Sequence, residues 1–439
     1  MIRVRIAPSP TGSPHVGTAY IALFNCIFAK KHGGKFILRI EDTDQKRLVP
    51  GAEKEILEAL DWLGLKYDEG PTRQSERLDL YQKYAQELVK KGAAYEDEGA
   101  IRQRVSREGQ TKFVDEVRGE ISFENKNLDE SVLLKSDGYP TYHLGVVVDD
   151  HLMGITHIIR GEEWLSSVPK HILLYEAFGW KLPKFAHLPL LRDPKRAKLG
   201  KRFGDVSLAW FKEEGFLPRA LLNYLALLGW THPEQKEIFD LAEMAEKFEF
   251  KDVNKAAPVF DLTKLEWMNG IYVRRMSIDN LISPITLITP RLRKADEKHL
   301  KKTIPLVQER MKTLKEFEEL TSFFFEEPKV DPKLLVQKGR TAEETTVALS
   351  SLIPHISSVT STDWTTAKLE EVCRTFVEEN PAWNVKDLFM TLRIALTGRT
   401  VSPPLFETME VLGREKTVSR LQKAADLLSF NSDGHSKTH

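Results

Sequence analysis

Residues Ile2–Asp44 read IRVRIAPSPTGSPHVGTAYIALFNCIFAKKHGGKFILRIEDTD. Ile2–Ile6 alternates apolar and basic residues, the period of a strand. PSPTGSP follows, a turn cluster rich in Pro, Gly and Ser. Gly17–Lys31 then carries apolar residues at helical spacing and stops at Gly33-Gly34, a helix-ending signal. Lys35–Ile40 reads as a second strand, closed by EDTD. Strand, loop, helix and strand make one βαβ unit, and such units are right-handed and build parallel sheets. The predicted N-terminal fold is therefore α/β.

Outward from this unit, helices are predicted at Gly51–Leu63 and Glu76–Lys91. Residues 94–130 differ: AIRQRV, TKFVDEV and EISFEN are short strand-like pieces between charged turns, a small β-rich insertion. After Ser131, strand signals return in VLLK, HLGVVVDD and THIIRG. A helix at Val168–Phe178 and the strand-like AHLPLLR follow, so the sheet is predicted to close around Arg192, split by the insertion. From about Asp205 the pattern is almost wholly helical, at Ser207–Glu214, Arg219–Leu228, Leu241–Phe248 and Leu262–Val273. Beyond Ser277 the helices lengthen, with proline breaks at Pro328, Pro332 and Pro403-Pro404. The closing NSDGHSKTH reads as a frayed tail.

Composition bounds the function. A chain of 439 residues predicts two to four domains. Hydrophobic residues at 41% and charged residues at 29% suit a soluble globular protein and exclude a disordered chain. Lys+Arg and Asp+Glu both number 64, which excludes a uniformly basic nucleic-acid coat and leaves local basic patches open. The two cysteines, Cys26 and Cys373, form no CxxC pair, so no zinc and no disulfide are expected. MIRVRIAPSP lacks the apolar core of a signal peptide, and no apolar stretch reaches the roughly 18 residues of a membrane span. A reduced, cytoplasmic setting is expected.

Three constellations carry chemistry. Ser9–Thr18, SPTGSPHVGT, follows the first strand and opens a helix, where free N–H groups and the helix dipole favour anions. Gly17 would let a nucleotide approach the backbone, and His15 would donate to phosphate oxygens; an ordinary βα loop is the alternative. Arg192–Arg202, RDPKRAKLGKR, holds six basic residues in eleven. It is either a solvated charge run or a loop placed to hold a polyphosphate beyond the carboxyl ends of the strands. Arg3, Arg5, Glu41 and Arg160 are charges in or at the ends of strands. They read as a site for a small zwitterionic ligand or as internal ion pairs. Trp164 could stack on a base or pack in the core, and Tyr142-His143 could line a pocket or simply pack.

Together RIAPSPTGSPHVGTAY, LRIEDTD, LLKSDGYPTYHLG, IIRGEEW, KLGKR, LRIALTGRT and PLFETMEVLG resemble the bacterial-type glutamyl-tRNA synthetases, class I aminoacyl-tRNA synthetases. The stretches come in the family's order and span nearly the whole chain. HVGT takes the place of the family's HIGH motif, and KLGKR that of its KMSKS motif. The resemblance implies a Rossmann-like parallel-sheet catalytic domain at 1–93 and 131–204, with a shortened acceptor-binding insertion at 94–130. It implies a helical stem-contact domain at 205–276 and two helical anticodon-binding domains at 277–358 and 359–439.

The implied reaction joins L-glutamate to ATP as glutamyl-adenylate and transfers it to the terminal ribose of tRNA(Glu), with Mg2+ on the phosphates and no zinc. His15, Lys198 and Lys201 take the catalytic positions. His15, Gly17, Glu163, Trp164, Leu191, Leu199 and Lys201 border ATP; Arg5, Ala7, Ser9, Glu41, Tyr142 and Arg160 hold glutamate. The resemblance further implies a monomer, and Arg291–Lys302 is a candidate phosphate track on the tRNA side. The sequence departs from the family at Gly200, where serine is usual, and at Val146, where some relatives carry asparagine. It departs again in the short insertion and in the trimmed stretch between Gly70 and Arg73.

Overall fold

In the computed structural model the described residues are 1–197, 199 and 206–434, with side chains as far as 430. The chain divides into two compact units, Met1–Asn269 and Gly270–His439. In the first, β1 (Arg3–Ile6), α1 (Val16–Lys31) and β2 (Lys35–Ile40) form the predicted unit, β1 and β2 running parallel with Ile6 opposite Leu38. α1 is buried on nearly all sides, because β1 lies against it on one side and later helices on the other. It ends where Gly33 turns left-handed at φ +57°, letting the Gly34 N–H reach Ala29 O at 2.8 Å.

The chain continues through α2 (Ala52–Leu63), β3 (Glu69–Arg73) and α3 (Leu78–Lys90). β3 pairs in parallel with β2, a strand the sequence did not announce. The insertion supplies β4 (Ala94–Asp97), β5 (Ala100–Gln103), β6 (Gln110–Asp115) and β7 (Gly119–Glu124), and β8 (Val132–Leu134) follows. Then come α4 (Tyr142–Leu152), β9 (His157–Gly161), α5 (Val168–Phe178) and β10 (Lys184–Leu188). Three sheets result, ordered β1-β2-β3, β7-β6-β10-β9 and β4-β5-β8. β1 lies beside β9, and Thr156 N–H bonds Arg3 O at 2.9 Å, so the first two sheets meet edge to edge.

One expectation changes here. HLGVVVDD is the helix α4, not a strand. A buried apolar run fits either period, and this one is buried from Leu144 to Asp150. Within the insertion, β6 pairs in parallel with β10, and β7 pairs with β6.

α6 (Leu208–Glu213), α7 (Pro218–Gly229), α8 (Leu241–Lys247) and α9 (Leu262–Arg275) complete the first unit, and the division between units falls inside α9. The second unit is helical throughout its described residues. Its core gathers Phe323, Phe324, Leu352, Leu388, Leu392 and Leu421, and Thr341 with Glu344 forms a reciprocal N-terminal cap. Cys373 is buried in that core, which pushes its thiol up to about 12, and Cys26 is pushed to about 11; neither is in a disulfide.

Gly34 is a packing constraint: a Cβ there would meet the Ile2 carbonyl oxygen at 2.5 Å, and backbone cannot step aside. Gly34→Ala is expected to cost about 1–3 kcal/mol and to lower the urea midpoint of unfolding; an unchanged midpoint would show that β1 can shift. Burial also holds His143 and His157 down to about 4, against about 6.5 in unfolded chains. Between those values the unfolded chain binds more protons than the folded one. Stability should therefore fall as pH drops from 6.5 toward 4 and be insensitive to these groups above it. Melting temperature against pH reads this directly.

Candidate active site

The carboxyl ends of β1, β2, β9 and β10 open into one cavity of about 810 Å3. Crevices beyond the carboxyl ends of parallel strands are where open α/β sheets bind ligands. Each predicted site residue that is described lines this cavity: Arg5, Ala7, Ser9, His15, Gly17, Glu41, Tyr142, Arg160, Glu163, Trp164, Leu191 and Leu199. Lys198, Gly200 and Lys201 lie outside the described residues. Leu199 and Val206, which flank the stretch 200–205, both border the cavity. Val206 O accepts the Val16 N–H at 3.1 Å and Leu208 N–H bonds Pro14 O at 2.9 Å, so the chain returns alongside the start of α1.

At that helix start, the N-cap is His15, whose Nδ1 accepts the Gly17 N–H at 3.0 Å. With Nδ1 accepting, the ring proton sits on Nε2. Gly17 is also a packing requirement. A Cβ there would stand 2.7 Å from the His15 ring, so glycine is what lets the imidazole fold over the helix end.

The cavity wall is a chain of buried charges. Arg39, fully buried in β2, gives its Nη1 to Asp150 Oδ1 at 2.7 Å and its Nη2 to Glu41 Oε1 at 2.9 Å. The same Asp150 oxygen accepts Arg5 Nε at 3.0 Å. Burial pushes the Asp150 carboxyl up, but Arg5 and Arg39 outweigh it and hold it below the usual range. Glu41 goes the other way: burial lifts its carboxyl above the ordinary value, with Arg39 and Arg5 only partly opposing. Asp149, next along α4, accepts from Gln74, Tyr81 and Arg77 at 2.8–2.9 Å. The strand charges thus form internal ion pairs, and two of the paired groups, Arg5 and Glu41, line the cavity. Arg3 is not part of it. Its guanidinium takes Glu69 twice at 2.8 Å, on the outside.

On the opposite side Arg160 Nη1 donates to Tyr142 OH at 2.8 Å, and the Tyr142 ring lies 4.3 Å from that of Trp164. Trp164 is 39% exposed, so it is a wall of the cavity and not core. Behind Tyr142, His143 Nδ1 and His171 Nε2 are hydrogen-bonded at 3.1 Å, and burial holds His171 well below the usual histidine range. Val146 is buried in α4 and does not line the cavity.

Sequence reading missed Arg39, Asp149, Asp150 and Gln74. Arg39 carried a signal, a charge amid the apolar KFILRI, which must find a partner. In the second unit the candidate track Arg291–Lys302 is partly spent internally: Arg291 pairs with Glu318 and Glu326, and Lys301 with Asp279 and Glu297.

Comparison with known proteins agrees with this geometry. The family profile "tRNA synthetases class I (E and Q), catalytic domain" matches residues 1–100 and 96–267, and "Anticodon binding domain" matches 280–425. The chain is similar to a glutamate–tRNA ligase of Thermus thermophilus, 46% identical over 475 positions that cover 97% of this chain and all of that one. That alignment is longer than these 439 residues, so the relative carries segments absent here. A glutamate–tRNA ligase of Acidothermus cellulolyticus is 42% identical, with 97% and 95% covered. The crystal structure of a glutamate tRNA ligase from Elizabethkingia meningosepticum in complex with its amino acid superposes with a TM-score of 0.85 at 34% identity, covering 97% and 99%. On this end-to-end likeness the chain belongs to the glutamate–tRNA ligase family of class I tRNA synthetases.

Proposed function

We propose that this chain is a glutamate–tRNA ligase, which activates L-glutamate with ATP and transfers it to the 3′-terminal ribose of tRNA(Glu). One observation carries the reading: of the described charged side chains that line the cavity, the least exposed are two guanidiniums, Arg5 and Arg160, and one carboxylate, Glu41. Glutamate is their complement, with two carboxylates and one ammonium. In this reading Arg5 and Tyr142 receive the γ-carboxylate, Arg160 the α-carboxylate, and Ser9, Ala7 and Glu41 the amino end.

The α-carboxylate attacks the α-phosphorus of ATP and pyrophosphate leaves; the 2′-oxygen of the ribose then takes the glutamyl group and AMP leaves. Such chemistry needs positioning and charge neutralisation more than covalent help. His15 and Gly17 hold phosphates at the start of α1, Lys198 and Lys201 clamp the triphosphate, and Glu163, Trp164, Leu191 and Leu199 border the nucleoside. No group of three His, Cys, Asp or Glu among the described residues could hold a metal ion. Mg2+ would therefore arrive on the phosphates with few protein ligands, and zinc has no part in the proposal. The enzyme works as a cytoplasmic monomer in this reading, and no helix among the described residues is long and apolar enough to cross a membrane.

Charging with labelled glutamate, ATP and Mg2+, on tRNA(Glu) and tRNA(Gln) separately, tests the function. Charging of tRNA(Glu) is expected; no charging of either by folded, tRNA-binding protein would overturn it. Arg5→Gln should erase the preference for glutamate over glutamine, because a neutral amide then faces the side chain. Retained preference would move side-chain recognition elsewhere. Lys201→Ala should slow adenylate formation by about a hundredfold or more while glutamate still binds. Equal loss of both would remove its assignment as a phosphate clamp.

A further inference from the structure

The hairpin β6–β7 lies within the shortened insertion, yet its turn reaches the cavity wall. Asp115, the last residue of β6, is 1% exposed. Its Oδ1 accepts the N–H groups of Val117, Arg118 and His187 at 3.0, 2.9 and 3.3 Å. Its Oδ2 stands 2.6 Å from His187 Nδ1. A carboxylate that accepts three backbone N–H groups is held ionised and only accepts, so its other oxygen also needs a donor. His187 therefore carries its proton on Nδ1 and presents a bare Nε2. That nitrogen accepts Arg160 Nε–H at 3.1 Å. With Nη1 on Tyr142 OH and Nη2 on Trp164 O at 3.3 Å, three partners fix the plane of the Arg160 guanidinium. The same turn places Arg118, which bonds Glu162, and Glu162 in turn accepts Leu190 N–H at 2.9 Å, beside the cavity.

We infer that Asp115 and His187 are positioning residues for glutamate binding: Asp115 fixes the tautomer of His187, and His187 thereby aims Arg160 at the substrate. This rests on the reading that Arg160 holds a glutamate carboxylate. The competing role for Asp115 is to close the hairpin turn through Val117 and Arg118 alone. Asp115→Asn separates the two. Its carbonyl still accepts the turn N–H groups, but its amide donates to His187 Nδ1. The ring proton must then move to Nε2, where it faces the Arg160 N–H donor to donor.

The test is calorimetric binding of L-glutamate to the full chain, as wild type, Asp115→Asn, His187→Phe, the double variant and Arg160→Gln, each with a melting curve. Asp115→Asn and His187→Phe should each weaken glutamate about tenfold or more. The double variant should be no weaker than the singles, and ATP affinity should change less than about twofold. Wild-type glutamate affinity in Asp115→Asn, or effects that multiply in the double variant, would overturn the relay. Arg160→Gln isolates the underlying reading: if it binds glutamate normally, the role of Arg160 fails whatever the relay does. Ring 15N shifts, assigned by difference with His187→Phe, supply a readout on the wild type that is free of substrate. Nδ1–H in the wild type supports the relay, and Nε2–H there overturns it.

Discussion

A single carboxylate oxygen, Asp150 Oδ1, is shared by Arg5 from β1 and Arg39 from β2. All three residues are buried, so none can trade its partner for water without a large desolvation cost. Losing any one would leave an uncompensated charge, typically worth about 3–5 kcal/mol. The sharing therefore ties two strands of one sheet to α4 and sets where Arg5 stands. Through Arg39 it also sets Glu41. The cationic and anionic poles of the cavity are thus held in place before any ligand arrives, the condition under which fixed charges discriminate best.

The opening βαβ unit was legible because its periods are unambiguous: alternation in β1, helical spacing in α1, and a glycine stop. Arg5 and Glu41 were legible as charges in apolar strands. HLGVVVDD was not, because a run buried on every side has no period to read. β3 was not legible either, since EGPTR holds Gly and Pro and no alternation. Asp115 and His187 stand 72 positions apart, a pairing that only the parallel register of β6 with β10 creates.

The insertion at 94–130 looks different in this light. It is not an appendage, since β6 is a strand of the sheet that holds β9 and β10 and its turn bonds the elements that carry Arg160 and Leu190. The strand and turn of this hairpin thus brace the cavity directly. A similar economy operates at the start of α1, where one glycine both shapes the helix end and seats the His15 ring.

The central claim is that a pre-set arrangement of ionised groups reads the charges of the amino acid. The most direct measurement is the affinity of the wild-type chain for L-glutamate and L-glutamine across pH. The account predicts that glutamine binds about a hundredfold more weakly or worse, since its amide leaves Arg5 unmatched. It also predicts that glutamate affinity begins to fall, as acid is added, above the ordinary carboxylate range, because the lifted Glu41 carboxyl must be ionised to hold the ammonium group. Equal affinity for the two amino acids, or glutamate binding indifferent to that protonation, would contradict it.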